Sequence, residues 1–512
     1  MKASKFLNIS IVAIFIVAIA VPLITVNKTS GKISVAENRA LAGFPNFKTA
    51  EGSLNTHFIK DFENWFSDNM GLRDKLVMTN TKLQYNLFGT LTKKDTLIGK
   101  NDWLYYVNSD ILKDYQNLNL PTNEQLVNWG ASLKKIDNYL QKKNIPFITM
   151  LNLDKKTIYP ENYPNTIKKV GHVSRTDMIE EYFSKDTSLN FFTPQEALIK
   201  AKEKATVYSP NYDNAHWNYY GSFIGYLELM NKVKKYYPNV KILSWEDYNI
   251  TKYNRKTKIY NSISFSEEDY GLNYTKQPTS VRTYGLLDNL NLTYSNEAYT
   301  YSNSNKALPK ALIVGDSYFY GFLIPQFAES FSELTFIHAD NIDRLQSFVD
   351  LVHPDIVIYE NVERMWDHTM GILENSKELM VDYSEFSHLP KLGNPDVWID
   401  YFNNQPVSEQ NKFVINNSSE TVNIIGWALD KENNKVAGGV FLKVGDKYYA
   451  GNYGIPREEV AATYNNSSLT ESGFTFNIKT SELIEQKQVS LIVISNDLSH
   501  QFSPIGIDIE IK

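Results

Sequence analysis

"KALIVGDSYFYGF", residues 310–322, decides the fold of this chain. Its first half, Ala311–Val314, is an unbroken apolar run, which is how a strand covered on both faces of a parallel sheet reads. Gly315 and Asp316 permit a tight turn, and Ser317 follows where a strand-to-helix turn would expose a hydroxyl at the carboxyl edge of the sheet. Comparable strand patterns stand at "PFITMLNL" (146–153), "ATVYSP" (205–210), "ELTFIHAD" (333–340) and "PDIVIYENVER" (354–364). Between them lie helical patterns at 123–143 and 216–237, the second placing Tyr220, Phe223, Leu227 and Met230 on one face. Strand alternating with helix predicts an α/β fold, a parallel sheet flanked by helices.

Working outward, "LNTHFIKDFENWFSDN" (54–69) and "LRDKLVMTNTKLQYNLF" (72–88) carry apolar residues at helical spacing, and "DTLIGKNDWLYYVNSD" (95–110) reads as a hairpin turning at Gly99–Asp102. Residues 238–305, rich in Asn, Tyr, Ser and Thr, read as an irregular β insertion. "NQPVSEQNK" (404–412) has the composition of a linker. Beyond it, "TVNIIGWALD", "GGVFLKVGDKYYAG", "GFTFNIKT" and "VSLIVISND" are short strands split by Gly, Asn and Asp, the pattern of an antiparallel β-sandwich. The expected organisation is a membrane anchor over 1–27, a catalytic α/β unit over 28–405 and a sandwich over 410–512.

A chain of 512 residues with 42% apolar content fills more than one core. Its net charge of −6, with the basic residues scattered, argues against nucleic-acid binding. With no cysteine, disulfides, thiolate catalysis and cysteine zinc sites are excluded. Lys2 and Lys5 precede residues 6–26, which hold no charge and are long enough to cross a bilayer as a helix. No small-x-small cleavage site follows, so an uncleaved signal anchor with the bulk of the chain outside the cell is expected.

Chemistry concentrates in "YSPNYDNAHWNYYGSF", 208–223. His216 can serve as a general base if a carboxylate fixes its tautomer, and Asp213, three residues earlier, can reach back to the ring. Ser317 is the candidate nucleophile. Each signal taken singly has a plain alternative, since a Gly-Asp-Ser turn also caps helices and a lone histidine is often structural. Trp217 and Tyr220 suit either a sugar-stacking platform or core packing, and Trp427 either a carbohydrate-binding face or the sandwich core. Glu363 and Arg364 read as a structural ion pair, and Asp316 as a brace for the Ser317 turn. No His-x-x-His or calcium loop is present, and neither metal nor cofactor is expected.

Strand-Gly-Asp-Ser and Asp-x-x-His are blocks of the SGNH hydrolases, here in permuted order with the histidine first. That order, with "ENRALAGFPNF" (37–47), "GLRDKL" (71–76), "IGKNDWLYY" (98–106) and "AHWNYYG" (215–221), resembles the alginate O-acetyltransferase-like family (AlgJ/AlgX-type, also called DHHW) over residues 30–390. The family's Asp-x-His-Trp would put Asn214 in the acid position, whereas the Asp-x-x-His spacing of other SGNH enzymes selects Asp213. The resemblance implies an oxyanion hole completed by groups at later strand ends, for which Asn361 and Asn341 are the candidates. It further implies an extracytoplasmic O-acetyltransferase acting on a cell-envelope or secreted polysaccharide, supplied with acetyl groups by a separate multi-pass membrane acyltransferase. A deacetylase with the same triad and a non-catalytic glycan-binding scaffold are the rival readings.

Overall fold

The computed structural model describes residues 2–511 apart from 30, 38, 50–51, 186–187, 260–261, 289 and 416–418. Asn38 of "ENRALAGFPNF" and Met1 of the anchor therefore lie outside the described residues. Three helices open the chain: α1 (Lys2–Ile24), α2 (Phe58–Asn69) and α3 (Arg73–Phe88). Within α1, Phe6–Ile24 is long and apolar enough to cross a membrane, and none of it is buried against the rest of the protein. A short hairpin, β1 (Thr96–Ile98) with β2 (Leu104–Tyr106), follows.

The central sheet has seven strands: β3 (Phe147–Asn152), β4 (Asn190–Phe192), β7 (Ser280–Thr283), β8 (Tyr299–Asn303), β9 (Lys310–Gly315), β10 (Glu333–His338) and β11 (Ile356–Val362), in the order β4-β3-β11-β9-β10-β8-β7. The first five run parallel, while β8 and β7 add on antiparallel. The parallel strands are covered on both faces, so side chains of successive residues enter different cores. Ile148, Met150, Ile313 and Ile358 pack with helix Tyr219–Val233 on one face, and Leu151, Leu312, Val357 and Tyr359 with helices Asn123–Lys142 and Leu345–Val352 on the other. This two-sided burial is why β3, β9 and β11 read as continuous apolar runs.

Several expectations need correction. Residues 205–210 form no strand, though Val207, Tyr208 and Ser209 are buried. Their backbone pairs with the turn that follows, Asn218 N–H donating to Val207 O at 3.2 Å and Asn218 Nδ2 to Thr206 O at 2.8 Å, so little is left for a sheet. Helix Tyr219–Val233 buries Phe223, Tyr226, Leu229, Met230 and Val233, a face rotated from the expected one, with Tyr220 and Leu227 at its margin. Residues 238–305 hold more regular structure than expected: β5 (Tyr248–Ile259) and β6 (Ile263–Tyr274) are 12-residue strands paired antiparallel, and β7 and β8 join the central sheet.

The C-terminal strands form two facing sheets around one apolar core that includes Phe402, Phe413, Ile424, Phe476, Leu491 and Ile507. All pairings are antiparallel except Lys412–Ile415 with Ile505–Ile511. Asp396–Phe402 pairs with Thr421–Asp430, so the sandwich begins ahead of the expected linker, and residues 404–412 run within it. Tyr383 and Phe386, from the segment leading out of the α/β unit, pack on Phe441 and Ile492 and join the two units.

Candidate active site

The turn after β9 is set by what its glycine leaves out. A Cβ on Gly315 would lie 2.9 Å from Glu360 Oε2 and 3.1 Å from the Phe336 ring, tighter than side chains normally pack. Asp316 braces the turn as expected: Oδ1 accepts from Tyr318 N–H at 2.8 Å and Oδ2 from Val362 N–H at 2.7 Å, which ties the turn to the end of β11. Glu360, buried in β11, accepts from Asp316 N–H at 3.0 Å and from Asn152 Nδ2 at 2.5 Å. Burial, and then the neighbouring Asp316 charge, push its carboxyl well above the usual range.

The loop before helix Tyr219–Val233 carries the other half. Asp213 Oδ1 accepts from the backbone N–H groups of Ala215 at 2.7 Å and His216 at 2.9 Å, while Oδ2 takes the His216 Nδ1–H at 2.9 Å. That bond leaves Nε2 as the acceptor, and the Ser317 hydroxyl lies 2.8 Å from it. Burial pushes the Asp213 carboxyl up, but the His216 ring and the two N–H groups outweigh it and hold the acid well below the ordinary carboxylate range.

Two hydrogen bonds flank the Ser317–His216 contact. Tyr318 O–H donates to Ala215 O at 2.8 Å, and Trp217 Nε1–H donates to Tyr318 O at 3.1 Å. From behind, the buried Lys155 donates to Asp213 O at 2.5 Å and to Leu104 O at 2.8 Å, fastening the loop to β2. Burial drives the Lys155 amine down to about 7 against the pull of Asp213 and Glu267.

Asn214 points away from His216. Its Nδ2 donates to Thr96 Oγ1 at 2.8 Å and Asp95 O at 3.2 Å, and its carbonyl accepts from Tyr106 N–H at 2.7 Å, so it fastens the hairpin. Asn361, at the end of β11, is fully buried, and neither side-chain amide atom has a hydrogen-bond partner among the described residues. It lines a cavity of about 390 Å³ with Ser317, His216, Tyr106, His338 and Arg364. A second cavity, about 660 Å³, reaches His216 and Asp213 from the side of residues 35–37 and 257–259.

The remaining candidates fall elsewhere. Asn341 is not an oxyanion donor, because its Nδ2 is taken by Thr293 O at 3.0 Å and His338 O at 3.1 Å while its Oδ1 accepts from Thr293 N–H at 2.9 Å. Trp217 is completely buried and acts as a core brace, not a sugar platform. Tyr220 stacks on Trp245 at 5.3 Å between ring centroids and lines neither cavity. Trp427 is half-buried against Leu429, Val460, Ala461 and Leu469 on the sandwich, edge-on to Tyr464 at 6.1 Å. Glu363 and Arg364 do not pair with each other: Glu363 accepts from Lys156 at 2.7 Å, and Arg364 pairs with Asp154. Among the described residues no cluster of three His, Asp or Glu is arranged to hold a metal. Sequence reading passed over Lys155, Glu360 and Tyr318. Only Glu360 left a signal, an acid inside the apolar run "DIVIYENV".

Residues 96–320 match the family model of the SGNH hydrolase-like domain of the acetyltransferase AlgX, a span that takes in His216 and Ser317 but stops short of Asn361. Among solved structures the chain is similar to PatB1 of Bacillus cereus, captured with a sulfonyl adduct, at 15% identity and a TM-score of 0.43 over 55% of this chain and 98% of that one. It is also similar to the O-acetyltransferase domain of Pseudomonas putida AlgJ, at 13% identity and 0.35 over 55% and 99% of the two chains. Pseudomonas aeruginosa AlgX gives 12% identity and 0.36 over 84% and 94%. No curated protein matches the chain. The match over residues 96–320 agrees with the resemblance read from the ordered motifs and is to an SGNH hydrolase-like domain.

Proposed function

We propose that the acetyltransferase-type domain transfers acetyl groups to hydroxyls of a cell-envelope or secreted polysaccharide through an acyl-serine intermediate. The observation that carries this reading is the unbroken line from Asp213 through His216 to Ser317, with contacts of 2.9 and 2.8 Å. In the first half-reaction the Ser317 oxygen attacks the acetyl carbonyl of a donor, its proton passes to His216 Nε2, and the imidazolium returns it to the leaving group. Asp213, held ionised, orients the ring and stabilises its charge. In the second half-reaction a sugar hydroxyl gives its proton to Nε2 while its oxygen takes the acetyl group, and the imidazolium returns the proton to the departing Ser317 oxygen.

The carbonyl oxygen turns negative in each tetrahedral intermediate. Asn361 Nδ2 and the backbone N–H of Ser317 are the donors assigned to it, because an amide with no partner among the described residues is poised to bond when that charge develops. Residues 6–26 anchor the protein, the sheet and sandwich lie outside the cell, and a separate multi-pass membrane acyltransferase supplies the acetyl groups. In this reading the catalytic unit ends before Asp396 and the sandwich is an accessory unit.

The test is to incubate the full chain with a chromogenic acetyl ester, with and without oligosaccharide acceptors, and follow products by mass. Acetylated oligosaccharide is the expected product. Free acetate alone, whatever the acceptor, would reassign the site to ester hydrolysis, and no acyl-serine at all would leave a glycan-binding scaffold.

A further inference from the structure

A second surface, outside the Ser317 site, is built to meet something apolar. Along α2 the residues Phe58, Ile59, Phe62, Trp65 and Phe66 share one side, while Lys60, Asp61, Glu63 and Ser67 take the other. The rings of the apolar side meet those of Phe44 and Phe47, with centroids 4.8 Å apart for Phe44 and Trp65 and 5.1 Å for Phe47 and Phe58. These partners are themselves about 60% exposed, Ile59 is 74% exposed, and none of the seven residues joins a buried core. On α3 the exposed Leu76, Leu83 and Leu87, with Leu72 just ahead of the helix, recur at spacings of four and seven residues and form a second stripe. A contiguous patch of this kind marks a surface that is covered in use.

Its covering is fixed by where the patch is fastened. The turn between α2 and α3 is joined to the end of α1: Asn27 N–H donates to Asn69 O at 2.8 Å, Asn27 Nδ2 to Asn69 Oδ1 at 2.6 Å, and Gly71 N–H to Pro22 O at 3.0 Å. Gly71 sits so close that a Cβ there would fall 1.9 Å from Thr25 Oγ1. Where Phe6–Ile24 crosses a bilayer, this turn is therefore held within about one helical turn, ~5 Å, of the point at which the span meets water.

We infer that α2 and the leucine stripe of α3 lie in the outer interface of the bilayer that α1 crosses, with the Phe44–Trp65 aromatic cluster seated at headgroup level. Aromatic rings favour that layer, and an amphipathic helix buries its apolar side there without spanning. The surface then fixes the orientation of the protein on the membrane, which a single flexible anchor would leave free.

The chain has no cysteine, so single labels report cleanly. The full chain, reconstituted in phosphatidylcholine vesicles, is labelled with a fluorophore at Ile59→Cys, at Leu87→Cys and, as a control on the distant sandwich, at Ser481→Cys. Nitroxide lipids should quench the first two several-fold more than the third, and aqueous iodide several-fold less. Iodide quenching at 59 and 87 equal to that at 481 would overturn the inference. Shielding that develops only as protein density per vesicle rises would assign the face to a second copy of the chain and overturn it equally.

Discussion

The His216 imidazole and the Ser317 hydroxyl meet at 2.8 Å across 101 residues of chain because the residues beside them are cross-bonded, Tyr318 to Ala215 and Trp217 to Tyr318. The contact is thus held by a fully buried clamp and not by the two catalytic candidates alone.

Ser317→Ala should abolish the acetyl-enzyme, seen as loss of the acetyl adduct in the intact mass. Its melting temperature should stay near that of the parent, since one hydroxyl beside a cavity contributes little packing.

Asp213→Ala should lower turnover of an acetyl ester by up to ~10⁴, because the ring loses both its tautomer control and its counter-charge. Asn214→Ala should leave kcat within about tenfold and instead cost about 1 kcal/mol of stability, for the hydrogen bond it makes to Thr96. A depressed carboxyl stabilises the fold above its unfolded value of about 3.9 and loses that contribution as pH falls through the lower folded value. Parent and Asp213→Ala should therefore differ in stability at neutral pH and converge in acid, which denaturant titrations would show.

Asn361→Ala should reduce kcat by roughly 10²–10³ if the amide stabilises the oxyanion. Because its polar atoms have no partner among the described residues, no hydrogen bond of the resting fold is lost with them, and a small truncation cavity is the only stability cost expected. Steady-state kinetics beside thermal melts separates the two effects, and a large stability loss with unchanged kcat would make Asn361 structural.

Lys155 gives a test with the opposite sign. Its folded value of about 7 lies below the unfolded value of about 10.4, so between these the unfolded chain binds the extra proton and stability rises with pH. The cost of the buried charge is fully present below about 7 and is relieved through that window. Lys155→Met should lack this rise when denaturation midpoints are compared at neutral and alkaline pH. It should also lower turnover, since Asp213 O and Leu104 O lose their shared donor.

The sequence by itself determined the parts whose signals are local. The runs in β3, β9, β10 and β11 are apolar because both faces of those strands are covered, and Gly315-Asp316-Ser317, directly after such a run, marks a strand-to-helix turn. Asp213 reaches His216 within three residues, so that pairing too was legible, though only its geometry separates it from Asn214, which the Thr96 hydroxyl draws away. Tertiary structure decided whatever depends on partners distant in the chain. Residues 205–210 have the composition of a strand, but their backbone groups are taken by the turn at Asn218. Asn341 and Asn361 are both asparagines near strand ends, and only the loop at Thr293, which consumes the first amide and not the second, tells them apart. Lys155 looks like any lysine until Leu104 and Asp213 close over it. The physical reason is common to these cases: composition and spacing report a residue's preference for burial, whereas which polar group finds which partner is settled only when segments 12 to 58 residues apart come together.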